Sequence, residues 1–285
     1  MDTHSQLTAA PPRAAIDDFL TAPPFETREA PRELWGFGGL HGGLAVGAMV
    51  AAMRETGAEG SLRSVSGRLH RAVREPFAID VTADAETRST ASLSAKLRPV
   101  ATEGPEGPGS SSPTAPLASA TALFGSDAPT ASPVLRPAAP AVPPWHEGGL
   151  FNPPPSFVPV AEFYELRVTG TNRPFAGGTD PGLTAWVRLT ADDLPPDDLR
   201  LLFLVDALAP SYAAILPAPQ PIPTVELSVH FAGGRAVSPW VLIEARTPIA
   251  TAGGWITETI NVWGEDLTHL AEARQLRLVR PAQAS

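Results

Sequence analysis

Apolar and polar positions alternate with a period of two through much of this chain, and two runs break the alternation by being apolar on every side. In Thr224–Phe231, Val225, Leu227, Val229 and Phe231 share one face, as a half-buried strand requires. Comparable strands are predicted near Phe25–Trp35, Leu62–Val73, Phe77–Thr87, Ser92–Arg98 and Leu117–Gly125. A second set is predicted near Glu162–Thr169, Leu183–Leu189, Thr224–Phe231, Pro239–Thr247, Gly254–Val262 and Ala271–Val279. The two exceptional runs, Leu40–Arg54 and Asp198–Leu216, are predicted helices. Leu201, Leu202, Phe203, Leu204, Val205, Ala207 and Leu208 leave the second without a polar face, so it should be buried on most sides.

Two segments carry neither pattern. Residues 101–116 are rich in Gly, Pro and Ser and read as a long loop. Residues 126–160 hold ten prolines, which favour an extended, semi-rigid connector. The chain is therefore expected to divide into 1–125, a connector at 126–160, and 161–285. The order of elements repeats at an offset of 160, which lays Val65 and Leu69 on Val225 and Val229, and helix 40–54 on 200–214. The expected class is α+β, with two buried helices, each wrapped by antiparallel strands.

Composition narrows the chemistry. The chain has 285 residues, 43% hydrophobic and 18% charged, enough for a substantial core. It has no Cys, which excludes disulfides, zinc–thiolate sites and thiol nucleophiles. A formal charge of −9 argues against a general nucleic-acid binder, whose affinity rests on Lys and Arg at phosphates. Met1–Thr8 lacks a signal-peptide pattern and no apolar run could span a bilayer, so a cytoplasmic location is expected. The scattered His residues suggest no metal site. Gly36–Gly42 misses the spacing of a dinucleotide loop, because His41 takes the last Gly position. A phosphate loop and a GxSxG elbow are both missing, and no cofactor is expected. Arg63, Arg68, Arg71 and Arg74 could meet phosphates, but read better as a solvated strand face.

Asp206 stands alone in the apolar run LLFLVDALA. A buried, unpartnered carboxylate costs several kcal/mol or more, so a residue expected mid-helix rather than at a cap asks for a purpose. Thr224 and Gln275, each ordinary alone, gain meaning beside it. FLVDALAPS, IPTVELSVHF and LAEARQLRLVR together resemble the type II acyl-CoA thioesterases, a double-hotdog family, and LHGGLAVGAM resembles the start of that family's first central helix. The resemblance covers most of the chain outside the two Pro-rich segments. It implies that Asp206, Thr224 and Gln275 hold an attacking water. Val205, Glu226, Leu227, Leu276 and Leu44 depart from the usual neighbours, which bears on substrate choice and rate more than on reaction type. At the repeat offset Val46 and Ser64 occupy the places of Asp206 and Thr224, so the first half is expected to be non-catalytic.

The resemblance implies hydrolysis of an acyl-CoA thioester by activated water. An oxyanion donor is expected from backbone N–H groups at the helix start, where Gly42 and Gly43 would let a ligand approach; tight helix–sheet packing explains the same glycines equally well. Two other readings stay open: a double-hotdog dehydratase or hydratase, whose His pattern His41 does not continue, and an acyl-CoA binder without turnover. Such chains can also pair further into a homo-oligomer.

Overall fold

The computed structural model describes residues 12–23, 26–100, 115–127, 133–190 and 194–281. In chain order its elements are helix α1 (Pro12–Thr21), helix α2 (Gly42–Glu55), and strands β1 (Ser61–Leu69), β2 (Phe77–Glu86), β3 (Thr90–Pro99) and β4 (Ala118–Gly125). A two-residue strand β5 (Gly149–Leu150) precedes β6 (Tyr164–Thr169), β7 (Gly182–Leu189) and helix α3 (Asp198–Val205). Strands β8 (Thr224–Phe231), β9 (Val241–Ala250), β10 (Trp255–Gly264) and β11 (His269–Leu278) follow. The strands form one antiparallel sheet in the order β2-β3-β4-β1-β8-β11-β10-β9-β7-β6-β5. This is the expected double hotdog: two central helices packed against one continuous antiparallel sheet.

The seam between the halves is the β1–β8 pair. Its register joins Gly67 to Leu227, flanked by Ser66 with Ser228 and Arg68 with Glu226. Gly67 and Leu227 occupy the same position of the two repeats, so a pseudo-twofold axis passes through this pair. The repeat seen in the sequence is thus a symmetry of the fold.

The two central helices run antiparallel across the same axis. A Cβ on Gly43 would lie 2.3 Å from the Leu202 carbonyl oxygen, and one on Gly47 would lie 3.6 Å from that of Leu199. At Gly43 only a residue without a Cβ allows this approach, whereas at Gly47 the helices are in ordinary contact. Leu44–Met53 are buried throughout, matching an apolar run with no polar face. Asp197 caps α3 by accepting the Arg200 N–H at 2.9 Å, and Asp198 pairs with Arg54 at the far end of α2.

Three expectations about elements change. The strand near Phe25–Trp35 is reduced to two isolated bridges, Arg28 with Phe77 and Trp35 with Leu40, around a 3-10 turn at Arg32–Leu34; Phe25 lies outside the described residues. Pro31 lacks the N–H that a continuous ladder needs. Helix α1 was not expected, although Ile16, Phe19 and Leu20 have helical spacing and are buried. The helix expected to reach Leu216 stops at Val205, with Asp206 as its C-cap, and a separate 3-10 turn covers Ser211–Ile215. Pro210 is the cause: its ring would clash with the carbonyl of Asp206, and it disfavours helical geometry at Ala209.

Most of the loop expected at 101–116 lies outside the described residues. The described part of the connector straps the outer face of the second half. Trp186 Nε1 donates to the Pro143 carbonyl at 2.9 Å. Trp145 stacks on Trp240 with centroids 4.8 Å apart, while Trp186, Trp240, Leu242 and Trp263 form a small buried cluster beneath. No helix among the described residues is long and apolar enough to cross a membrane.

Candidate active site

Antiparallel packing brings the C-terminus of α3 against the N-terminus of α2, and Asp206 sits where they meet. Its side chain is 7% exposed. Gly43 donates its backbone N–H to Oδ2 at 3.0 Å. That N–H is one of the groups a helix start leaves unpaired, and the helix dipole adds to the attraction for an anion. Gln275 Nε2 donates to Oδ1 at 2.7 Å, and Arg277 lies 3.5 Å from the same oxygen. The carboxylate is therefore buried but supplied with charge-assisted donors, which offsets its desolvation.

His41 completes this side. Its Nε2 is 2.9 Å from the Asp206 carbonyl oxygen and 3.7 Å from Oδ2. The carbonyl is free because α3 ends at this residue, and a carbonyl can only accept, so Nε2 carries the proton. Among the described residues Nδ1 is then a buried acceptor without a donor. Burial pushes the His41 pKa below its ordinary value; the charge and carbonyl of Asp206 oppose this, and Arg277 adds to it. Phe203 packs edge-on against the ring at 4.9 Å. Across the site, burial and then the Asp206 charge raise the Tyr164 pKa far above that of a free phenol, so it stays protonated.

The sheet supplies a second layer. Glu258, 1% exposed, is the cross-strand partner of Gln275. Arg277 Nε donates to Glu258 Oε2 at 2.9 Å, and the Ser211 N–H donates to Oε1. Ser211 and Thr247 share a hydroxyl–hydroxyl bond at 2.8 Å. No cluster of three or more potential metal ligands occurs among the described residues.

Two family models match this chain. Residues 31–125 match the model described as "Acyl-CoA thioesterase N-terminal domain", and 129–279 match "Acyl-CoA thioesterase C-terminal domain". The chain belongs to the acyl-CoA thioesterase family. Among solved structures, it is similar to a conserved hot dog fold protein of unknown function from Alicyclobacillus acidocaldarius, at 23% identity and TM-score 0.79, over 94% of this chain and 98% of that one. A putative thioesterase II from Thermobifida fusca is 19% identical with TM-score 0.71, over 90% and 96%. The acyl-CoA thioesterase II TesB2 from Mycobacterium marinum is 17% identical with TM-score 0.66, over 94% and 99%. At these identities the likeness establishes the fold. No curated protein matches the chain.

In this family member the residues singled out from sequence fall as follows. Asp206 and Gln275 are in direct contact. Asp206 is a C-cap, not the mid-helix residue expected. Thr224 opens β8 as the cross-strand partner of Arg277, beside a register shift; among the described residues its hydroxyl makes no hydrogen bond to Asp206 or Gln275. Gly42 and Gly43 both lie at the site: a Cβ on Gly42 would be 2.8 Å from Asp206 Oδ2. The Gly43 N–H is committed to Asp206, so it is not a free oxyanion donor. Arg63, Arg68, Arg71 and Arg74 are engaged within the protein, with Gly125 and Asp127, Glu226, Glu75, and Gly38 respectively.

Glu258, Arg277 and the contact of His41 with Asp206 were missed. The first two left a signal. Ile256, Glu258, Ile260 and Val262 are one phase of β10, and Ala271, Ala273, Gln275 and Arg277 one phase of β11. A charge in the apolar phase of a strand marks a buried polar site. His41 left none, because the contact joins residues 165 apart in the chain.

Proposed function

We propose that this chain hydrolyses an acyl-CoA thioester to the free acid and CoA by activated water. The observation that carries the reading is the Asp206 carboxylate, fixed at the meeting of the two helix ends by Gly43 and Gln275. Gln275 turns its N–H toward Asp206, which leaves Oε1 as a buried acceptor without a donor among the described residues. A water donating one O–H to Asp206 and the other to Gln275 Oε1 would satisfy both and turn a lone pair toward the thioester carbonyl carbon. In this reading Thr224, the cross-strand partner of Arg277, is the third water-holding residue.

In the step itself, water oxygen bonds to the carbonyl carbon as its proton passes to Asp206. The tetrahedral intermediate collapses with cleavage of the C–S bond, and the proton leaves on the thiol of CoA. Negative charge on the carbonyl oxygen requires donors already in place. In this reading Gly42 supplies one, since its N–H lies in the first turn of α2 beside Asp206. The first half then acts without a carboxylate of its own, contributing Gly42, Gly43 and His41 to a single site.

Colorimetric detection of free thiol from a series of acyl-CoAs tests the proposal, and the chain contributes no thiol background because it has no Cys. Release that disappears in Asp206→Asn supports hydrolysis. Saturable acyl-CoA binding without release supports a binder instead. The proximity of His41 to Asp206 favours a second reading, hydration or dehydration of an acyl thioester by a His–carboxylate pair, and hydration of an enoyl thioester distinguishes it.

A further inference from the structure

We propose that Glu258 and Arg277 are positioning residues for Asp206, a clamp that ties the end of α3 to the sheet; the catalytic half of this inference rests on the hydrolase reading above. Arg277 is 5% exposed and Glu258 1%. Burying either charge alone is costly, and their mutual contact accounts for only part of what they touch. The guanidinium reaches past Glu258 to Asp206 Oδ1 at 3.5 Å. Glu258, in turn, reaches past Arg277 to the Ser211 N–H, five residues beyond Asp206 in the chain.

The pair therefore grips Asp206 twice. One arm holds the carboxylate and the other holds the segment that leaves it. Both arms start from the inner faces of β10 and β11, at and beside the register pair Glu258–Gln275, so the clamp and the water-holding amide share one rigid support. A C-cap followed by Ala207–Pro210, with no helix to continue it, has little local structure of its own to fix a carboxylate. Gln275 also holds Asp206 from β11, whereas Gly43, His41 and Tyr164 do not link it to these two strands.

The double variant Glu258→Gln/Arg277→Met tests this, because it removes the two paired charges together and strands neither Glu258 nor Arg277. Two readouts are needed. Gly43 donates to Asp206 Oδ2, so its amide resonance in a ¹⁵N-glycine-labelled sample reports the carboxylate position whether or not the protein turns over a thioester. The clamp predicts that this resonance shifts and loses exchange protection in the double variant, while Arg277→Lys, which keeps a cation, retains an intermediate shift. It further predicts that kcat for acyl-CoA hydrolysis falls on the order of 10²-fold, as expected for a misplaced catalytic group, with KM within about twofold. A folded double variant with an unmoved Gly43 amide overturns the clamp. Absence of thioester hydrolysis in the wild type overturns the hydrolase reading alone, and the clamp is then judged on the amide.

Discussion

Gln275 and Asp206, 69 residues apart, meet through an amide N–H to carboxylate bond of 2.7 Å, with Gln275 wholly buried. The bond fixes which way the amide faces, since its oxygen cannot point at a carboxylate. In Gln275→Glu the donor becomes an anion facing an anion. Thiol release should fall by about 10²-fold or more, with a melting temperature below that of Gln275→Ala, because like charges within contact oppose burial. Equal stabilities for the two variants, measured by thermal unfolding at neutral pH, would contradict this account.

Asp206→Asn tests the charge rather than the shape. The amide is nearly isosteric, yet it offers one acceptor where Gly43, Gln275 and Arg277 all donate. Acyl-CoA hydrolysis should drop by about 10²–10⁴-fold, the range for loss of a general base, while circular dichroism stays unchanged. Residual activity close to wild type would remove Asp206 from the chemistry.

Gly43→Ala probes the helix crossing. The added methyl would stand 2.3 Å from the Leu202 carbonyl oxygen, a backbone atom that cannot step aside. Overpacking of this kind costs about 1–3 kcal/mol or more, and chemical denaturation should show it. Gly57→Ala is not a fair control, because Gly57 has a positive φ of 93°.

The lowered pKa of His41 fixes a pH dependence. The folded state favours the neutral ring, so the unfolded chain binds more protons below its ordinary pKa near 6.5. Stability is then complete above about pH 6.5 and declines as the pH falls toward the folded-state pKa, by up to about 1.4 kcal/mol per pH unit for one proton. His269, lowered first by burial with Glu272 opposing, contributes with the same sign. Thermal unfolding between pH 5 and 8 should therefore be flatter in His41→Asn than in wild type. A slope unchanged by that substitution would assign the effect to other groups.

The connector strap offers a prediction remote from the site. Trp145 stacks on Trp240 and donates to Glu265 at 2.9 Å. Trp145→Ala should lower stability by about 1–3 kcal/mol and red-shift the tryptophan emission as Trp240 meets water. Thiol release should not change. A loss of activity would couple the outer face of the sheet to Asp206.

The sequence by itself determined the two-fold repeat, the alternation that makes the strands, the apolar helices, and the choice of Asp206 and Gln275. The repeat, strands and helices follow from periodicity and Asp206 from an isolated charge in an apolar run, both local properties of the chain; Gln275, ordinary by itself, was singled out only through the family resemblance of its segment. Pro210 was also legible as the residue that stops α3, although the helix was expected to run past it. Only the tertiary structure decided that the shortened helix frees the Asp206 carbonyl for His41, that Gly43 spends its N–H on the carboxylate, and that Glu258 and Arg277 stand behind it. Those contacts join strands and helix ends far apart in the chain, and a side chain's partner across such a distance is set by antiparallel helix packing and sheet register, which no local pattern encodes.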